Sequence, residues 1–425
     1  MNILITGGRV IDPASGFDQQ ANVALADGKV IGISGIGNVS DFRADRTLDA
    51  TGCIVAPGLV DLAARLREPG YEHEGMLESE MAAAVAGGVT SVVCLPDTDP
   101  VLDEPGLIEM LRFRASRQNG ARLFPLGALT RNLAGDVLTE MAALTEAGCI
   151  GFTQADVALA DTQVLQRALL YASTFGYTVW LRPQDRDLGK GVAASGPLAT
   201  RLGLAGVPVA AETIAIFTIV ELMKSTGARV HLCRLSSAAG VQLVREAKAA
   251  GLPLTCDVSI NSLLLIDTDI GYFDSRARLN PPLRQQRDRD ALSAALADGT
   301  IDALVSDHTP VDADAKTLPF AESEPGATGF ELLLPLALQW GEQSGAGLAR
   351  ALQVITSAPA QRLRAPGAGV LVEDGTADVC VIDPDMEWQV RPEALRSQGK
   401  STPFAGYALR GRARHTIVAG HVVYG

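Results

Sequence analysis

Between residues 57 and 365 the sequence alternates between two hydrophobic periods, and this alternation restricts the fold more than any other feature. Short apolar or β-branched runs recur near Leu59–Leu62, Thr90–Leu95, Arg122–Pro125, Ile150–Thr153, Thr178–Leu181, Arg229–Leu232, Pro253–Asp257 and Ala303–Ser306. Between most of them, as in Glu78–Val85, Gln163–Ala172 and Ala239–Ala249, apolar residues return every three or four positions. A strand followed by an amphipathic helix produces this change of period. Eight such units in about 300 residues predict an α/β fold, the (β/α)8 TIM barrel, with functional groups at the C-terminal ends of the strands.

The two ends read differently. Ile3–Ile5, Asn22–Leu25 and Lys29–Ile33 form one group of short strands, and Gly369–Val372, Ala377–Ile382 and His415–Ala419 form another. Gly, Asp and Pro turns separate them. We expect a small β-sandwich formed by both chain ends, residues 1–56 and 366–425, beside a barrel spanning 57–365.

Composition removes several classes of function. Hydrophobic residues make up 47% of the chain, enough for a large core and too many for intrinsic disorder. The net charge of −13 argues against nucleic acid or an anionic membrane as partner. The cysteines, Cys53, Cys94, Cys149, Cys233, Cys256 and Cys380, include no CxxC pair, so neither a thiolate zinc site nor a redox dithiol is expected. The first residues lack the basic start and cleavage site of a secretory signal. The richest apolar stretch, Leu332–Leu338, is too short for a membrane span and contains Pro335. These features predict a soluble, cytoplasmic protein. Gln398-Gly399-Lys400-Ser401 ends like a phosphate-binding loop but lacks its first glycine and a preceding strand. Ser306-Asp307-His308 holds the residue types of a hydrolase triad, yet neighbours on a strand point opposite ways and cannot form a relay.

The segment Asp61-Leu62-Ala63-Ala64-Arg65-Leu66-Arg67-Glu68-Pro69-Gly70 resembles the first barrel strand of the amidohydrolases, specifically dihydroorotase, whose pattern is D-x-H-x-H-x-R-E-P-G. Gly87-Gly88-Val89-Thr90 and Leu95-Pro96-Asp97-Thr98-Asp99-Pro100 resemble its second strand. Asn280-Pro281-Pro282-Leu283-Arg284 and Ser306-Asp307-His308-Thr309-Pro310 resemble its seventh and eighth strand ends. Pro403-Phe404-Ala405-Gly406 and Thr416-Ile417-Val418 fit its C-terminal strands. The resemblance covers nearly the whole chain.

The departures fall on the positions that the resemblance implies to be functional. The family's zinc-binding His-x-His pair corresponds to Ala63 and Arg65. Its Ser-Asp-Asp on the fourth strand corresponds to Thr153, Gln154 and Ala155. Two further histidines correspond to Arg182 and Arg234, leaving Asp307 from the ligand set. No lysine lies between Lys29 and Lys190, so a carbamylated bridging lysine on the fourth strand is also missing. Of the implied substrate pocket, Arg67 and Asn280 remain. An asparagine is replaced by Asp97, which would repel an anionic substrate, and a histidine by Val311. A guanidinium has no lone pair to give a metal. We therefore expect Arg65, Arg182 and Arg234 to replace the metals electrostatically, pairing with Asp307 and with Asp61 or Asp156.

The resemblance then implies a non-catalytic, dihydroorotase-like subunit without metal or cofactor. It implies assembly with the catalytic chain of aspartate carbamoyltransferase in pyrimidine biosynthesis, a homodimer within that complex being compatible with it. One alternative is an active amidohydrolase acting on a cyclic amide through a mononuclear metal at His231, His308 and Asp307. Another is a homo-oligomeric adaptor of the dihydropyrimidinase-like kind. The segments Lys190–Pro208 and Val311–Gly326 are expected to cover the mouth or face a partner.

Overall fold

A computed structural model describes residues 1–425 except 35–38, 40, 41, 119, 364 and 366. Eight parallel strands form the barrel: Leu59–Ala64, Val89–Cys94, Arg122–Pro125, Phe152–Thr153, Thr178–Leu181, Arg229–Leu232, Leu254–Ser259 and Ala303–Val305. The third continues as Gly127–Ala128, which pairs with the fourth. A parallel bridge between Ala64 and His308 closes the ring, with Arg65 N–H donating to the His308 carbonyl at 2.8 Å. The strands are buried on both faces, as strands enclosed by helices must be.

Helices with a readable apolar stripe lie where the spacing predicts them. Thr162–Phe175 turns Val164, Leu165, Ala168, Leu169 and Ala172 inward, and Asp161 caps its first turn by accepting from the N–H groups of Gln163 and Val164. Val209–Thr226 has no such stripe, because its apolar residues lie nearly all round, whereas Phe330–Gln343 keeps one in a strongly apolar helix. Pro335 sits inside the second of these, and packing of Leu332, Leu333, Leu334, Leu336 and Trp340 against the barrel outweighs the backbone bond it forgoes. Among the described residues no helix is long and apolar enough to cross a membrane.

Strands from both chain ends join in one eight-stranded sheet. Ile54–Pro57, which the turn signals did not reveal, stitches the ends together. It pairs in parallel with Ile3–Asp12 and antiparallel with Val379–Gln389. Period-two alternation then divides the side chains. Val55, Val379 and Val381 join Ile3, Ile5, Val23 and Ile417 in the sheet's own core, while Ile54, Ala56, Cys380 and Ile382 face the barrel core. Gly369–Val372, expected as a strand, is turn and coil. Gly367 and Gly369 are left-handed (φ 81° and 65°), and Gly369 packs so closely on the Thr356 carbonyl that a Cβ would lie 2.5 Å from it.

Candidate functional site

The barrel mouth is built by residues just beyond the strands. Arg65 follows the first strand, Asp156 the fourth, Arg182 the fifth, Arg234 the sixth and Asp307 the eighth. Several of these strand ends turn through left-handed backbone at residues other than glycine: Arg67 (φ 65°), Ala155 (50°), Arg234 (57°) and Asp307 (52°). Such conformations persist only where surrounding contacts hold them. At Arg234 one holder is Asp257, which accepts from the Arg234 N–H at 2.7 Å.

These turns bring three guanidiniums and three carboxylates together. Arg65 donates from Nε to Asp97 at 2.7 Å, from Nη1 to Thr309 Oγ1 at 3.0 Å and from Nη2 to Asp156 at 2.9 Å. Arg234 donates from Nη1 to Asp307 at 3.0 Å and from Nη2 to Asp156. Arg182 donates from Nη2 to Asn280 Oδ1 at 2.6 Å, and its Nε lies 3.6 Å from Asp156. The expected pairing of Asp307 with these arginines is therefore present, and Asp156 is the carboxylate that faces all three. Asp61 is not part of it. It accepts from Ser306 N–H and Oγ and from Ala63 N–H beneath the mouth, and burial pushes its carboxyl up to about 7.

Charge decides what this cluster can do. Three positive groups meet three negative ones, so the mouth is neutral when all are ionised. Burial works against the charge of Asp156, but Arg234, Arg65 and Arg182 together hold its carboxyl well below the usual range. Asp307 is raised, because burial there outweighs the pull of Arg234 and Arg65. Burial lowers Arg182 to about 10, which leaves it cationic at neutral pH. The space left among Arg65, Asp156, Asn280, Asp307, Thr309 and Gly326 is about 10 Å³. A single water needs roughly 10–15 Å³.

The remaining predicted positions are spread around this centre. Ala63 packs in the barrel interior with Val60, Leu62 and Trp180. Gln154 bonds Thr130 Oγ1 and the Leu133 carbonyl, and Ala155 packs on Leu95 and Leu133. Arg67 donates to the Pro310 carbonyl and lies 2.6 Å from Glu74 and 3.5 Å from Glu324, so its charge is already matched. Asp97 is the partner of Arg65 rather than a free repelling charge. Val311 is buried under Gly326, where an added Cβ would lie 2.8 Å from the valine.

The alternative metal site does not form. His308 places Nε2 2.8 Å from Glu80, and its Nδ1 accepts from Gly329 N–H. His231 bonds Thr255 through Nδ1 and Asp257 through Nε2, each at 2.8 Å. Asp307 lies on Arg234, so three different partners hold the three residues. His231, Cys233 and Asp257 do bring donor atoms within 4.8 Å of one another. Both ring nitrogens of that histidine are engaged, and burial keeps the Cys233 thiol protonated.

A family model described as "Dihydro-orotase-like" matches residues 52–239. Over 425 residues, covering all of both chains, the sequence is 44% identical to a "Dihydroorotase-like protein" of Pseudomonas aeruginosa. The chain belongs to the dihydroorotase-like family. A "Dihydroorotase" of Geobacter sp. is 39% identical, over 100% of this chain and 99% of that one. Among solved structures, the L-hydantoinase (dihydropyrimidinase) of Arthrobacter aurescens superimposes with a TM-score of 0.87. It is 25% identical and covers 99% of this chain and 96% of its own.

The resemblance to dihydroorotase implies a divalent metal in the mouth, and this donor set does not fit one. Guanidiniums offer no lone pair, and Asp156 and Asp307 already bind guanidinium N–H groups. Sequence reasoning missed Thr309 and the full role of Asp156. Three arginines directed at one mouth require matching acids, and Asp156 directly follows the Gln154-Ala155 strand end.

Proposed function

We propose that this chain is a non-catalytic member of the dihydroorotase-like family. In this reading it assembles with and stabilises aspartate carbamoyltransferase in pyrimidine biosynthesis. The observation that carries the first part is the closed Arg65–Arg182–Arg234 cluster, which stands where the resemblance places zinc ligands. Without metal the site lacks a Lewis acid and an activated water. Its carboxylates are engaged by the arginines, and the space among Arg65, Asp156, Asn280 and Asp307 is about 10 Å³, too little for a cyclic amide there. The neighbouring cavity of about 210 Å³, lined by Gln154, Ala155, Arg182 and Gln184, reaches neither Arg234 nor Asp307. The named partner is supported by the resemblance of the chain, including its pattern of substituted ligands, to the non-catalytic chain of bacterial aspartate carbamoyltransferase.

The test combines elemental analysis, dihydroorotate turnover, and size-exclusion chromatography after co-expression with aspartate carbamoyltransferase. Expected are no stoichiometric zinc, no turnover and one large co-eluting complex. A catalytic reading has one observation in its favour: relatives at 39% identity bear the name dihydroorotase. About one metal per chain with turnover would establish it.

A further inference from the structure

The segment 311–326 reaches the mouth through Pro325 and Gly326, and a buried lysine ties it to the neighbouring segment 266–278. Lys316 lies in 311–326, and its Nζ donates to the carbonyls of Ser275 and Arg278 at 3.2 Å each. Gly326 N–H donates to the Arg278 carbonyl at 3.1 Å, so the lid is fastened at a second point. Lys316 itself is 9% exposed. The clasp therefore uses this segment's cation inward and leaves the outer surface to other residues.

That outer surface carries large apolar side chains in solvent. Tyr272 is 91% exposed, Phe273 37% and Leu318 46%. The two aromatic rings meet edge to face at 5.3 Å. In the same two segments, Asp269, Asp312, Asp314 and Glu322 form no ion pair among the described residues. Asp274 pairs with Arg276 and Glu324 with Arg67, while the two remaining cations of these segments, Arg278 and Lys316, are turned to backbone carbonyls, so the segments keep an excess of acids. Exposed aromatics in segments with an excess of acidic charge have the composition of an interface centre and its steering charges.

We propose that the lid formed by residues 266–278 and 311–326 is a docking surface for a protein partner with a basic face, anchored by Tyr272, Phe273 and Leu318. The occupant is argued from charge complementarity: the unpaired acids of the rim call for lysine or arginine around an apolar hollow. The inference rests on the proposed assembly with aspartate carbamoyltransferase and names the face of this chain that the partner meets.

The test uses the full chain co-expressed with aspartate carbamoyltransferase, as wild type, as Tyr272→Ala, and as the charge reversal Asp314→Lys with Glu322→Lys. All these residues are exposed, so unchanged thermal melting checks that each variant folds. Wild type should co-elute with the partner. Tyr272→Ala should weaken binding by roughly 30-fold or more, the effect of truncating an aromatic hot spot. Charge reversal should abolish the rise in affinity at low salt. Full binding by both variants overturns the surface and leaves the assembly standing. Absence of a complex with wild type overturns the assembly itself, and the inference with it. A homodimer of the isolated chain that Tyr272→Ala dissociates overturns the choice of occupant in favour of a second copy.

Discussion

Replacing Asp156 by asparagine removes the carboxylate that touches Arg65 and Arg234 and faces Arg182. The volume is conserved, so the change is electrostatic. Three guanidiniums are left with Asp97 and Asp307, and the mouth goes from neutral to one net positive charge. Breaking a buried ion pair from one side costs about 3–5 kcal/mol. Asp156 is 27% exposed, which places the loss near the lower bound, about 3 kcal/mol. At about 2.1 cal/mol/K per residue, a chain of 425 residues unfolds with an entropy of about 0.9 kcal/mol/K. The midpoint should therefore fall by about 3 °C in a thermal melt at neutral pH. Asp187→Asn is the control, because Asp187 is 63% exposed in its pairs with Arg186 and Lys190 and should shift the midpoint by less than about 1 °C. The pH dependence separates charge from packing. The folded-state pKa of Asp156 is depressed, so its contribution is present above the unfolded carboxyl value of about 4 and is lost as pH falls below it. The gap between wild type and Asp156→Asn should accordingly narrow on acidification. A variant that melts with wild type at pH 7, or a gap that does not change below pH 4, would refute the view that this cluster holds the mouth together.

Three further perturbations test the surroundings. Converting Ala63→His and Arg65→His together should yield no stoichiometric zinc by elemental analysis, since Arg182 and Arg234 still fill the opposite side of the mouth. Glu212→Gln should lower stability by about 2–3 kcal/mol in denaturant melts, because the carboxylate accepts from the N–H and Oγ of both Ser236 and Ser237 and an amide cannot satisfy all four. Asp61 has a folded pKa raised to about 7, so its contribution is complete below about pH 4 and disappears as pH rises through 7. Wild type should lose stability relative to Asp61→Asn over that window, and parallel melting curves from pH 4 to 8 would remove Asp61 as a titrating group.

The barrel was legible because alternating periods survive in any sequence that buries strands under helices. Val209–Thr226 escaped because its apolar residues are spread around the helix and leave no stripe to detect, and Ile54–Pro57 because a four-residue strand gives too few alternations. The terminal sheet was legible as strands but not as pairings, since nothing local in Ile54–Pro57 announces that Val379–Ile382 lies beside it. At the mouth the residue types were readable and their partners were not. Asp97 looked like a charge set against substrate, yet it binds Arg65 across 32 residues of sequence. Arg234 reaches Asp307 across 73. The reach of long side chains at strand ends depends on backbone turns at Ala155, Arg234 and Asp307, left-handed conformations that no local pattern in these residues signals.

The balance of charge at the mouth also bears on the lid above it. Arg65, Arg182 and Arg234 are matched by Asp97, Asp156 and Asp307, and Arg67 by Glu74 and Glu324. Among the described residues Asp314 and Glu322 form no ion pair, and both side chains are exposed. Self-repulsion among such acids costs the folded chain a little. Tyr272 gives the interior little, since its ring is 91% exposed and meets only the neighbouring Phe273 ring among the described ring contacts. A neutral, closed mouth beneath an acidic, aromatic lid therefore separates two tasks that an open active site would combine. In the proposed reading, the interior keeps the barrel ends in place and the outer face meets another protein.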